Sequence, residues 1–467
     1  MINFIGPTNV TGLPAYEYAQ LLKLVEAFYA HQSKNELKNQ YYEGKISLRS
    51  VNLGIALPDG LARLEIGCAW GAKTVDVLAA RSMFDGFVGE NGEEVAELDA
   101  LVRANKLVAE YNKAARDELK YGCTFATLSR DPETGCKIRF HSPRTSAAIW
   151  NGDKGRIDCG FSIIDTAPDN DAMWSPSLIY FYTDTDVWVL RRIDSRWTAE
   201  RFPHRMGRPL MEPLIWNATS DKPFGRSRIK EPVRRLIDGY VRTIANASIG
   251  LEFATSPQKY LLGVTDEQYE VLINQKFKQY VGSILASTTN PETGEKPSFG
   301  QLQQGSLTPH VEMIRVLATQ FSAATGLTVT DTGVVNDANP TGSDAILAQS
   351  QTLVGMAEQL NTGNGDALRT IALMALAVAN DTTVDELTEE QRAVVAHFKN
   401  PAMPSIAATA DAATKIAAVR PAFAQTDIFL EMVGFDQADV RRIRAQESRA
   451  RGMQLLTEEF GDADIEQ

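Results

Sequence analysis

The stretch from Lys222 to Thr341 constrains this chain most, because it sets two proline-started helices either side of a mixed insert. The first opens after a Pro/Gly turn, with Pro232 just inside the start, where its missing N–H goes unneeded and its fixed φ suits a helix. Val233, Leu236, Ile237, Tyr240, Val241, Ile244 and Ser248 then keep the i, i+3, i+4, i+7 rhythm of one helix face. Arg234, Asp238 and Arg242 step by four along another. About fifty mixed residues follow. A second helix opens at Thr308 and Pro309, an N-cap and a first-turn proline, and carries Val311, Ile314, Leu317, Ala318 and Phe321 to a stop at Gly326. A polar, turn-rich loop comes next, and a third helix starts at Thr341-Gly-Ser-Asp344, a capping-box pattern with Asp in place of Glu. Periodicity alone gives a helical pair with an inserted module.

Several of these runs resemble the portal proteins of tailed bacteriophages, in particular the branch from siphophages of actinobacteria. They are P-F-G-R-S-R-I-K-E-P-V-R-R-L-I-D (223–238), R-T-I-A-N (242–246), L-E-F-A-T-S-P-Q-K-Y-L-L-G (251–263), the run 306–327 and N-P-T-G-S-D-A-I (339–346). Near the N-terminus, Y-Y-E-G-K (41–45) and A-A-R-S-M-F-D-G-F (79–87) fit the same family. The resemblance implies an α+β portal fold. Residues 1–225 would be a mixed α/β wing of helices plus antiparallel sheet, 226–256 a stem helix, 257–307 an inserted α/β clip and 308–326 the second stem helix. Residues 327–341 would be a tunnel loop, 342–400 the wing's long helix and return segment, and 401–467 a helical crown. It also implies a homo-oligomeric ring of twelve copies at one capsid vertex of the virion, assembled in the host cytoplasm. Double-stranded DNA would pass through it. The major capsid protein, the terminase large subunit and a head–tail adaptor would be its partners. Val334, Val335, Asn336, Asp337, Ala338 and Asn339 would lie nearest the DNA, and Arg234, Arg235, Asp238 and Arg242 would mark the stem.

Charge bears on that reading. The chain of 467 residues carries a net charge of −12, whereas a protein that grips DNA displays a basic face to neutralise phosphates. An acidic balance argues against a tight DNA-binding module and is compatible with a channel through which a duplex slides. For the stem arginines, a solvated helix face or ion pairs between subunits stands beside a sparse ring of cations offering weak phosphate contacts. An apolar content of 44% with 23% charged residues suits a soluble globular protein of two or three domains. No apolar run approaches the ~18 residues of a membrane span, and the N-terminus lacks a signal-peptide layout. Cys68, Cys123, Cys136 and Cys159 show no close pairing and read as free thiols of a reducing compartment.

The rest of the chain reads coarsely. Helices are expected over 14–39, 60–82 and 95–120, the last with Leu98, Leu101, Leu107 and Val108 on its apolar side. Between Tyr121 and Trp216 short alternating runs separated by D-P-E-T-G, N-G-D-K-G and T-D-T-D turns predict an antiparallel meander. Five tryptophans between Trp150 and Trp216 fit a sheet packed on helices. After the third helix come a second apolar stretch, 367–379, a V-V-A-H-F run that reads as a strand or a helix end, and a helical tail.

Catalytic chemistry is sparse. Gly67-Cys-Ala-Trp-Gly-Ala-Lys-Thr74 approaches the phosphate-cradling G-x-x-x-x-G-K-[ST] pattern, but Ala72 occupies the second glycine's place and the preceding L-A-R-L-E-I is amphipathic rather than a β-branched strand. His31, His141, His204, His310 and His397 are far apart in sequence, with no local metal spacing. His310 reads as a surface or interface residue. Gly363-Asn-Gly365 reads as a loop between helices, and no nucleophile elbow is present. No cofactor, metal or catalytic residue is therefore expected. Two other classes remain: an ATP-using packaging enzyme, which needs an intact phosphate loop, and another ring-forming head–tail adaptor, for which the chain is long.

Overall fold

The computed structural model describes residues 6–7, 9–47, 65–89, 95–168, 174–193, 196–255, 259–262, 294, 298–301, 306–334, 343–402, 406–435 and 437–461. The chain divides into two compact units. One holds Met1–Lys38, Val75–Arg228 and Gly342–Gln467, the other Asn39–Thr74 and Ile229–Thr341.

The first unit is built on two sheets. β1 (Val10–Thr11) lies parallel to an edge of the larger one. β5 (Cys123–Asp131) and β6 (Gly135–His141) form a hairpin, and β7 (Ser146–Asn151), β8 (Arg156–Pro168), β9 (Trp174–Tyr182), β10 (Asp186–Ile193) and β11 (Arg196–Pro203) run as an antiparallel meander. The order in the six-stranded sheet is β1-β11-β10-β9-β8-β7; β12 (Met211–Ile215) joins β5 and β6 in the order β12-β5-β6. The expected meander is thus present, and its turns close as their residues require. Asp131 accepts from the backbone N–H of Thr134 at 3.1 Å, ahead of Gly135 at φ +77°, a conformation that favours glycine.

Helices pack on the sheets in two cores. On the six-stranded sheet, Leu21, Leu24, Val25 and Phe28 of α1 (Ala15–Tyr42) join Phe161, Phe181, Trp188 and Trp197 in one apolar core. A second core unites the three-stranded sheet, together with Ile157, Tyr182 and Val187 of the larger one, with two helices, α4 (Leu107–Tyr121) and the 37-residue α7 (Ser343–Ala379). The ribbon of β4 (Phe84–Val88) and β15 (Val395–Phe398) closes it. The V-V-A-H-F run is therefore a strand. The four cysteines are buried free thiols, and burial pushes them up to about 11 for Cys68 and about 12 for Cys123, Cys136 and Cys159.

Three expectations need correction. The helix expected over 95–120 is two, α3 (Ala96–Ala104) and α4, because Lys106 takes a left-handed φ of +51° between them. Part of the one or two helices expected over 60–82 is β3 (Glu65–Gly67), an antiparallel partner of β2 (Lys45–Ser47); in the described part the helix is α2 (Trp70–Ala79). Gly363-Asn-Gly365 lies inside α7 rather than in a loop. Each helical glycine costs about 1 kcal/mol against alanine, and tertiary contact offsets that here. Buried Asn364 donates to Tyr111 Oη at 2.9 Å and to Glu118 Oε2 at 2.8 Å, and Tyr111 in turn pairs with Ser82 Oγ at 2.6 Å.

The tail forms α9 (Ile406–Val419), α10 (Asp427–Val433) and α11 (Gln437–Gly461), following the one-turn α8 (Glu389–Arg392). Arg441 of α11 reaches Asp99 of α3 at 3.5 Å.

Candidate functional site

The second unit is organised by the two helices that the sequence singled out, α5 (Glu231–Thr255) and α6 (Thr308–Thr325). On α5, Val233, Ile237, Val241 and Ala245 are buried at steps of four, the stripe that a packed helix requires. On α6 the buried set is Leu317, Ala318, Phe321 and Thr325. Gly326 ends it in the left-handed conformation at φ +72°, its N–H donating to Ser322. The start shifts by one residue from expectation: Leu307 is the cap, and the Thr308 N–H donates to Ser306 Oγ at 3.2 Å.

Two glycines fix how the pair packs. A Cβ on Gly239 would stand 3.2 Å from Leu317, and one on Gly250 would stand 3.2 Å from Leu307. The contacts run in opposite chain directions, so the helices are antiparallel. Between them, the chain leaves and returns through a two-stranded ribbon, β13 (Lys259–Leu262) against β14 (Ser298–Gln301), with Lys259 opposite Gln301. Most of the rest of the expected clip, including 263–293, lies outside the described residues.

The residues expected to mark the stem separate into two pairs. Asp238 accepts from Tyr41 Oη at 2.7 Å, and the Arg234 guanidinium lies 5.9 Å from the Tyr41 ring centroid while donating to the Ile229 carbonyl at 3.0 Å. Burial, reinforced by the Asp238 carboxylate, pushes the Tyr41 phenol well above its ordinary range, so the tyrosine stays a donor. These two half-buried charges tie α5 to the Y-Y-E-G-K run. Arg235 and Arg242 are exposed instead, with Arg235 paired to Glu231 at 3.3 Å across one helical turn. Helix α6 also leaves Val311, Met313 and Val316 about half exposed, at 50%, 47% and 49%. His310 in its first turn is half-buried.

Beyond Gly326 the chain does not loosen at once. Leu327 is buried, and the Thr328 N–H and Oγ1 donate to Asp331 Oδ2 at 2.9 and 2.8 Å. A 3-10 turn over Thr330–Thr332 follows, and Gly333 closes it at φ +77°. Val334 is half-buried at the end of this knot. Val335, Asn336, Asp337, Ala338 and Asn339, like the cap at Thr341, lie outside the described residues.

Trp70 completes the unit, and sequence reasoning missed it because it is embedded in the near-match to a phosphate loop. That stretch is strand, turn and helix, yet it cannot wrap a phosphate. Helix α2 begins at Trp70, before the position that would need the second glycine. Gly71 is glycine because a Cβ there would collide with the carbonyl oxygen of Tyr41. The Thr74 hydroxyl is buried and donates to the Trp70 carbonyl at 2.9 Å. Among the described residues no group of three or more His, Cys, Asp or Glu comes together to hold a metal ion.

With this geometry in view, the family is identified by sequence: residues 26–452 match the phage portal protein family, SPP1 Gp6-like, and the chain belongs to it. Relatives include the "Portal protein" of Mycobacterium phage D29, 25% identical over 452 residues that cover 93% of this chain and 90% of that protein. The "Portal protein" of Mycobacterium phage L5 is 25% identical over 410 residues, 84% of this chain and 81% of that one. Both come from phages of mycobacteria, within the actinobacterial branch that the sequence resembles. Among solved structures, a chain in the neck of a native GTA particle computed with C12 symmetry aligns over 84% of this chain and 98% of its own length, at 14% identity and a TM-score of 0.45.

Proposed function

We propose that copies of this chain close head-to-tail into a dodecameric ring whose α5–α6 pairs surround a channel for double-stranded DNA. The ring occupies one vertex of the phage head, admits the genome during packaging, joins head to tail and releases DNA on infection. The major capsid protein grips its wing, and the clip meets the terminase large subunit during packaging and a head–tail adaptor afterwards. Assembly takes place in the host cytoplasm. The ring works by geometry and has no catalytic activity of its own. A heterologous interface closes into a ring when its rotation divides the circle.

The observation that carries this reading is family membership across 26–452, a span that includes the antiparallel helix pair and its ribbon-closed insert. The half-exposed Val311, Met313 and Val316 on α6 supply apolar surface for a neighbouring copy to cover. Arg235 and Arg242 supply exposed positive charge on α5 for weak contacts with passing phosphates. Among the described residues no helix is long and apolar enough to cross a membrane. Imaging the purified protein down its symmetry axis, alone and with capsid protein, tests the proposal. Twelve-fold annuli with a central hole wide enough for a duplex are expected, and particles that never close under either condition refute it.

A further inference from the structure

Trp70 stands where three parts of the stem unit meet. Its indole packs against Tyr240 of α5, with ring centroids 4.4 Å apart and planes at 35°, and against Phe321 of α6, at 4.7 Å and 34°. It is 3% exposed. Its Nε1–H donates to the carbonyl oxygen of Thr332 at 3.1 Å, in the turn that follows α6. One rigid side chain therefore touches both helices and holds the root of the loop.

The physical consequence is coupling. At these separations the two tilted ring contacts leave little slack, so a slide of either helix shifts the indole or opens one of the contacts. The N–H is fixed in the plane of the ring, and a hydrogen bond weakens steeply as its angle falls. The Thr332 carbonyl must then follow the ring or lose its donor. The turn responds as a unit, because the N–H groups of Asp331, Thr332 and Gly333 donate to Thr328, Val329 and Thr330 at 3.0 to 3.1 Å.

The geometry points to Trp70 as a positioning residue that sets the root of the loop, residues 327–334, according to the spacing of the two stem helices. The consequence for DNA rests on reading that loop as the channel loop; the clasp itself does not. Trp70→Phe keeps an aromatic ring between the helices and deletes the donor. Amide hydrogen exchange on the purified protein is expected to quicken about fivefold at Asp331, Thr332 and Gly333, and to stay unchanged at Val241 and Ala318. Unaltered exchange at 331–333, or an equal rise at Val241 and Ala318, overturns the clasp. Phe321→Leu opens one stack and keeps the indole donor. It should quicken exchange at the same three amides, and no change there also overturns the proposal. DNA length per head, measured in particles carrying Trp70→Phe, separates the two levels. A changed length together with faster exchange supports both. An unchanged length with faster exchange supports the clasp and refutes the channel-loop reading.

Discussion

The two units of the chain solve the problem of burying apolar surface differently. In the first, two sheets and their helices enclose side chains such as Phe161, Phe181 and Tyr111 at 0% exposure, within one chain. In the second, α5 and α6 bury a single stripe each, assisted by one tryptophan, and leave Val311, Met313 and Val316 half in water. A thin helix pair has too little inside to hide every face, since burial depends on the ratio of surface to volume. Under the proposed ring, the first unit is stable by itself and the second draws part of its stability from neighbouring copies.

That contrast breaks or sharpens through four substitutions. Phe161→Ala empties a fully buried site between α1 and the large sheet, and should lower stability by about 3–5 kcal/mol, read as a lower unfolding midpoint. Glu118→Gln tests the buried polar cluster of the same unit. Burial raises the Glu118 carboxyl to about 8 from its ordinary 4.5, although the Asn364 amide pulls the other way. Between those values the folded chain keeps a proton that the unfolded chain releases. Stability therefore falls as pH rises from about 5 to 8, by at most about 1.4 kcal/mol per pH unit, and the Gln variant should show a flatter profile. Denaturant midpoints across that range decide it. Tyr41→Phe removes the donor to Asp238 and should cost about 1–2 kcal/mol, confined to the second unit, so faster amide exchange along α5 without change at Phe161 is the expected readout. Val316→Asp should shift the unfolding of the isolated subunit by less than about 0.5 kcal/mol and yet reduce ring closure. A subunit that melts early with Val316→Asp would place that residue in a core of its own chain.

The same contrast explains what was legible beforehand. Both α5 and α6 stood out because Pro232 and Pro309 mark their starts, Gly326 marks a stop and apolar residues recur at helical spacing between them. The meander was readable from its turns, where Asp131, Gly135 and Asn151 act locally. Illegible were the features decided at a distance. Nothing near Asn364 announces that Tyr111 and Glu118, about 250 residues earlier, will hold it inside a helix. Tyr41 and Asp238 meet across 197 residues. Trp70 earned no notice because its neighbours mimic a nucleotide motif, while its partners Tyr240, Phe321 and Thr332 come from the far half of the unit. The β1 edge strand, two residues long, is too short for periodicity to show.

The burial of Cys68, Cys123, Cys136 and Cys159 bears on shelf life. With thiols pushed up to about 11 and 12, roughly one in ten thousand or fewer is ionised at neutral pH, and the ionised form is the one that reacts. Air and peroxide therefore find no ready nucleophile, and no cysteine stands at the surface to crosslink adjoining copies. A preparation kept aerobically without reductant should retain four titratable sulfhydryls per chain once denatured.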